Sequence, residues 1–391
     1  MSQDIFFSFF LIFSGTLVLA TLALFTRQPL LIAYIALGAI AGPFGGDWIS
    51  DTALLEQMAH VGIIFLLFLL GMDMQPSSLM SVLKRALPVA LISSIAFFII
   101  GYLITCWMGF PTNDAYIVGT ALMFSSTIIG LKLLPTTVLH HKPVGEMMVG
   151  LLLMQDIIAI LSLIVLGVLA GDNKMPVWQP FLALPIVILI SYATVRWILL
   201  PLMKRFDRFQ EYLFIMAIGW CLTVAEVSNL VGLSYEIGAF IAGVTLATTP
   251  IAQFIALSLK PLRDFFLVMF FFTLGASFNF GMLNQVAWAA VVLAGAVLLL
   301  KPLTFRLLLG NTLFGNIQSE PKLSWDVGFR LGQISEFSLL IAFLAISHGL
   351  LSERGSLLIQ ATAIITFVIS SYIVVFNYPT PIAVSAKLRR D

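Results

Sequence analysis

Met147-Met148-Val149-Gly150-Leu151-Leu152-Leu153-Met154-Gln155-Asp156-Ile157-Ile158-Ala159-Ile160-Leu161-Ser162-Leu163-Ile164-Val165-Leu166 is an apolar run with an amide and a carboxylate side by side near its middle. A carboxylate near a bilayer midplane costs at least ~2.5–3.5 kcal/mol on insertion scales. Such residues face a bundle interior or a wet cavity and mark an ion or proton path. Asp156 is therefore the residue around which the other readings are arranged.

The surrounding composition has the same character. Of 391 residues, 60% are hydrophobic and 10% charged, and the mean hydropathy is +1.06, far from the values of a soluble domain. An all-α polytopic membrane protein is expected. A span needs about 20 apolar residues, and about thirteen fit, at 5–25, 29–45, 58–74, 86–108, 113–134, 144–170, 178–200, 210–229, 234–248, 261–279, 283–309, 325–349 and 355–376. The whole of 1–391 reads as one transmembrane unit, without room for a separate soluble domain. The N-terminal run follows Asp4 with no basic region before it, so it reads as a retained helix and not a cleaved signal. A net charge of +1 carries no footprint for nucleic acid, and the two cysteines, Cys106 and Cys221, fall inside apolar spans as small core residues.

Orientation follows from lysine and arginine placement. Arg27, Lys84, Arg85, Lys142, Lys204, Arg205, Arg208, Lys260, Arg263, Lys322 and the tail Lys387-Leu388-Arg389-Arg390 fall on one side, and only Lys174 and Arg354 on the other. The expectation is an outside N-terminus and a cytoplasmic C-terminus, with 377–391 a short basic tail.

An internal repeat is also visible. Leu37-Gly38-Ala39-Ile40-Ala41-Gly42 in the second span matches Ile237-Gly238-Ala239-Phe240-Ile241-Ala242-Gly243 in the ninth. Phe68-Leu69-Leu70-Gly71-Met72-Asp73 in the third matches Phe272-Thr273-Leu274-Gly275-Ala276-Ser277 in the tenth, again close to 200 residues on. Each pair joins a span to the seventh after it, so the two copies are inverted in the membrane, as in many secondary carriers. Residues 5–170 form the first repeat, 178–200 a linker helix and 210–376 the second repeat. The same offset pairs Phe124-Ser125-Ser126-Thr127-Ile128-Ile129-Gly130 with Gly332-Gln333-Ile334-Ser335-Glu336-Phe337-Ser338. Both are expected to interrupt their helices, since unwound backbone is tolerated at that depth only inside protein or lining a cavity. Ser125, Ser126 and Thr127 would then offer oxygens for a hard monovalent cation at Asp156.

Lys301, in Leu298-Leu299-Leu300-Lys301-Pro302-Leu303, must snorkel to the interface, lose its proton or find a partner, and Asp156 and Glu336 are the candidate counter-charges. Glu336 either pairs with Lys301 or Arg330 to hold the helix break, or takes part in transport. Asp73 reads as a solvated or capping residue, Glu226 and Glu236 as exposed charge at a short turn, and His140-His141 as a solvated pair. An intramembrane aspartyl protease using Asp73 and Asp156 is disfavoured because the segment around Asp73 lacks Gly-x-Gly-Asp. A channel does not need a titrating carboxylate between two broken helices. A proton- or sodium-coupled carrier of an organic solute is the alternative within transport, although Gln155 is the only amide beside Asp156.

Phe124-Ser125-Ser126-Thr127, Met154-Gln155-Asp156, Gly238-Ala239-Phe240-Ile241-Ala242-Gly243, Phe272-Thr273-Leu274-Gly275, Lys301 and Gln333-Ile334-Ser335-Glu336-Phe337 occur in one order across nearly the whole chain. In this the sequence resembles the second monovalent cation:proton antiporter family: the membrane domain of Kef-type potassium efflux proteins and, more distantly, NapA-type sodium antiporters. The resemblance implies an NhaA/NapA-like fold with two broken crossing helices. It implies a homodimer in a bacterial inner membrane, with spans 1–3 and 8–10 as dimer domain and spans 4–6 and 11–13 as an elevator-like moving core. It implies cation–proton exchange without a cofactor, with Asp156 holding either species and Gln155 standing where the NapA type has a second aspartate. That substitution tilts the expected ion towards potassium over sodium. Two departures stand beside it: Kef-type chains continue into a nucleotide-binding domain whereas this sequence ends at Asp391, and Ile334-Ser335 replaces a Gly-rich pattern.

Overall fold

The computed structural model describes residues 5–49, 53–73, 80–132, 143–170, 178–206, 208–310 and 321–380. Among them every regular segment is helical. In chain order these are α1 (Ile5–Phe25), α2 (Leu30–Ala41), α3 (Ala53–Asp73), α4 (Met80–Trp107), α5 (Thr112–Leu122), α6 (Thr127–Lys132) and α7 (Pro143–Ala170). α8 (Trp178–Thr194) continues through a π-helical turn, Val195–Leu199, into α9 (Leu200–Arg205). Then follow α10 (Gln210–Leu230), α11 (Tyr235–Ala247), α12 (Ala252–Ala276), α13 (Leu283–Gly310), α14 (Pro321–Arg330), α15 (Glu336–Ser347) and α16 (Glu353–Asn377).

Helix occupies every expected span, and the two interruptions fall where the polar residues predict them: α5 and α6 share 113–134, and α14 and α15 share 325–349. Among the described residues seven helices are long and apolar enough, by length and composition, to cross a membrane. The other expected spans are shorter, interrupted or, in α12, charged in their first half, so they carry a weaker signature. The chain is a multi-pass membrane protein. His140-His141, Lys142, Lys174 and the Lys387–Arg390 tail lie outside the described residues, as does the side chain of Asp73.

The chain divides into two compact units, one of Met1–Ser50, Leu79–Ala159 and Leu274–Asp391, the other of Asp51–Ser78 and Ile160–Thr273. The first thus holds α1 and α2 together with α4–α6, the Asp156 half of α7, and α13–α16. A core of Val89, Phe97, Met148, Leu151, Phe305, Val327 and Leu331 forms where α4, α7, α13 and α14 meet. Close approach is set by small residues. A Cβ on Gly275 would collide with the Ile35 carbonyl, and one on Gly42 with Ala276, as expected where membrane helices pack backbone to backbone.

The second unit is built around α3, α10 and α11, with Phe68, Met72, Trp220, Cys221, Ile237 and Leu246 in its core. Here Gly71 and Gly243 meet: a Cβ on either would strike the other helix's backbone. One sequence expectation is corrected in this unit. Glu226 is exposed, but Glu236 is only 5% exposed, and its Oε1 lies 3.1 Å from His60 Nε2. A carboxylate in the first turn of an apolar helix is buried when another helix brings a partner to it, and that partner is almost 180 residues away in sequence.

Candidate functional site

The site grows from the two helix interruptions of the first unit. α5 stops at Leu122, Met123 closes a last turn onto Thr120 O at 3.2 Å, and Phe124–Ser126 are irregular. Ser126 restarts the chain by accepting a hydrogen bond from Ile129 N at 3.1 Å, a serine cap on α6. The second interruption repeats this chemistry. α14 stops at Arg330, and Ser335 accepts from Phe337 N at 3.1 Å while its own N–H donates to Ser338 Oγ at 3.2 Å, closing a capping box on α15.

The interruptions are fastened to each other. Ser125 Oγ donates to Leu331 O at 2.8 Å, and Ser338 Oγ donates to Ala121 O at 2.5 Å. Lys301 joins them a third time: its ammonium donates to Phe124 O at 2.5 Å, to Gln333 O at 3.1 Å and to Ser125 Oγ at 3.4 Å, with the Phe97 ring 5.1 Å away. It is 1% exposed. Of the alternatives for Lys301, it finds partners without snorkelling, but its bonds go to carbonyl and hydroxyl oxygens and not to Asp156 or Glu336. The physical reason lies in the breaks. Each exposes carbonyl oxygens that no helical N–H reaches, and together they supply the negative end of two dipoles.

Asp156 is 2% exposed, and among the described residues its carboxylate accepts from Thr127 Oγ1 alone, at 3.3 and 3.4 Å to its two oxygens. Both are near the outer limit for a hydroxyl bond. Glu336, the first residue of α15 and half-buried, is close enough for its charge to act on Asp156. Gln155 is fully buried; its Oε1 accepts from Ser125 N at 3.1 Å, while its Nε2 has no hydrogen-bond partner among the described residues. The structure therefore brings Gln155, Asp156, Ser125, Ser126, Thr127, Lys301 and Glu336 into one region. Within it, Asp156 and Thr127 form an oxygen-rich pair, and Lys301 with Ser125 forms the brace beside it.

Two contributors had no role assigned from the sequence: Gln333, read only as part of the helix break, and Asp114. Gln333 braces Lys301 through its backbone, and its side-chain Oε1 accepts from Ser370 Oγ at 2.8 Å. Asp114, in the first turn of α5, is 3% exposed and accepts from Ser352 N at 3.0 Å and Ser352 Oγ at 2.5 Å, tying α5 to the start of α16. Its position after Pro111 reads locally as an ordinary helix start, so only the fold reveals its burial. Arg330, also buried, pairs with Asp326 at 2.6 Å and donates to Pro379 O at 2.8 Å.

Comparison with known proteins gives a consistent picture. The sequence profile of the family described as sodium/hydrogen exchanger, transmembrane, matches residues 10–376. K(+) efflux antiporter 4 of Arabidopsis thaliana is 29% identical over 87% of this chain, which spans 58% of that protein's length. The Na(+)/H(+)-K(+) antiporter GerN of Bacillus cereus is 25% identical over 95% of both chains. The solved structure of the sodium proton antiporter MjNhaP1 from Methanocaldococcus jannaschii shares the fold, with a TM-score of 0.70 over 93% of this chain and 97% of that one at 18% identity.

Proposed function

The chain belongs to the sodium/hydrogen exchanger family, and on that premise we propose that it is a secondary antiporter exchanging a monovalent cation for protons at Asp156. The observation that carries this reading is a buried carboxylate with only two long bonds to one hydroxyl. Such a group is under-satisfied, and a proton or a cation supplies what the protein withholds. The two compete for one site, so the flow of each is coupled to the other. The bare carboxylate is the species least able to cross an apolar barrier, which suppresses leak.

Potassium is the favoured cation, on the strength of Gln155 beside Asp156 and the names of the relatives; sodium is the alternative. The assembly is a homodimer in a bacterial inner membrane, N-terminus outside, operating by elevator-like alternating access. The glycine contacts support the inverted repeat. Gly71 of the third span meets the ninth, and Gly275 of the tenth meets the second, which is the same pairing with the repeats exchanged. The brace around Lys301 supports one-for-one exchange, because its Nζ is bonded to carbonyls of both breaks and not to Asp156.

The test uses proteoliposomes with an imposed pH gradient and a pH-sensitive dye, adding K⁺, Na⁺ or Li⁺ in turn. Cation-dependent dequenching is expected with wild type and absent from Asp156→Asn; equal traces from both would remove Asp156 from the coupling step. Where protons outcompete the cation, a tenfold rise in proton concentration raises the cation's apparent KM by up to about tenfold (~1.4 kcal/mol of competition). Clamping the membrane potential at different values leaves the rate of a one-for-one exchanger unchanged.

A further inference from the structure

Away from Asp156, a cleft of about 230 Å³ opens at one end of the first unit, lined by Trp107, Phe110, Gln285, Trp288 and Arg354. It lies where α4 ends and where α13 and α16 begin. Trp107 is 78% and Trp288 74% exposed, so two indoles stand bare on its walls. Between them the Arg354 guanidinium rests on the Phe110 ring, 4.4 Å from its centroid. Its Nη2 donates weakly to Gln285 O at 3.4 Å, while its Nε is shielded from solvent with no hydrogen-bond partner. Among the described residues this guanidinium therefore makes one weak hydrogen bond, well short of its donor capacity. Asp114, the nearby buried carboxylate, is already taken by Ser352.

The apolar surface leading to the cleft indicates what supplies the acceptor. Leu91, Ile95, Ile99, Leu103 and Trp107 are all exposed at a four-residue spacing along α4. They form a single stripe about 24 Å long at 1.5 Å per residue that ends at the cleft. Trp288, Val291 and Leu299 continue bare on α13. Tryptophan concentrates at the headgroup level of membranes, and an arginine at that level with an unfilled N–H matches the planar donor geometry that phosphate oxygens accept. We propose that this cleft binds the headgroup phosphate of a phospholipid, with the Arg354 guanidinium donating, the two indoles flanking the glycerol and an acyl chain lying along the α4 stripe. A soluble anion would use the guanidinium but not the stripe, and a neutral lipid the stripe but not the guanidinium.

The full-length protein, purified in detergent and stripped of lipid, is titrated with dioleoylphosphatidylglycerol and followed by native mass spectrometry. Parallel titrations use dioleoylglycerol and inorganic phosphate. Phosphatidylglycerol is expected to bind wild type and Arg196→Gln, an exposed arginine elsewhere, alike, and to bind Arg354→Gln about tenfold more weakly, the worth of one charge-assisted hydrogen bond. Trp288→Ala, which leaves the guanidinium in place, is expected to weaken binding as well, and it decides the matter if Arg354→Gln does not fold. Equal phosphatidylglycerol affinity in Arg354→Gln, or in Trp288→Ala where only that variant folds, overturns the proposal. So does dioleoylglycerol binding as tightly as phosphatidylglycerol, inorganic phosphate displacing the lipid, or wild type failing to bind it.

Discussion

Asp114 and Asp156 are two carboxylates in the same unit, 3% and 2% exposed, yet they have opposite surroundings. Asp114 is held at 2.5 and 3.0 Å by the hydroxyl and N–H of Ser352, the residue that caps α16. Asp156 has one hydroxyl at 3.3–3.4 Å and the charge of Glu336 nearby. Burial alone does not mark a transport site. What separates the two is the hydrogen-bonding capacity left unused: the satisfied carboxylate fastens structure, whereas the deprived one is where we propose that a cation or a proton binds.

The contrast is broken most directly by neutralising each residue in turn. Asp156→Asn is expected to bring cation-dependent proton flux to background while its thermal midpoint in detergent stays level or rises. Asp114→Asn keeps flux per folded molecule. If Asp114→Asn also abolished exchange in well-folded protein, the division between structural and transporting carboxylates would fail.

Stability provides the next test. Asp114→Ala removes two short bonds and strands Ser352, a loss of about 2–4 kcal/mol read as a clear fall in thermal midpoint. Lys301→Met strands the Phe124 and Gln333 carbonyls at roughly 1–3 kcal/mol for each buried group, lowering the midpoint by a comparable or smaller amount. A Lys301→Met protein as stable as wild type would show that the two breaks need no brace. The smallest effect is expected from Thr127→Val, which deletes the single long donor to Asp156. Its apparent KM for the cation should shift about fivefold, near 1 kcal/mol, with little change in maximal rate.

Legibility from sequence followed the range of the interaction involved. The apolar spans depend on runs of neighbouring residues, and helix falls on each of them, although α12 begins nine residues before the expected 261 and α4 six before 86. The interruptions at Ser125-Ser126 and Gln333–Ser335 were equally local, since serine and threonine compete with helical bonding and cap the segment that follows. Asp156 stood out because a charge in an apolar run needs no tertiary information to be anomalous. Asp114 and Glu236 did not stand out, being acidic residues in the first turn of a helix, where exposed carboxylates are common.

By itself, then, the sequence determined that this is a multi-pass helical membrane protein, where its helices run and break, and which charge is out of place among them. Only the tertiary structure decided the pairings: Lys301 with the carbonyls of two breaks, Glu236 with His60, Asp114 with Ser352. Hydropathy and helix interruption are properties of a dozen adjacent residues. Which oxygen is satisfied and which is left wanting depends on groups that packing brings in from 176, 177 or 238 positions away.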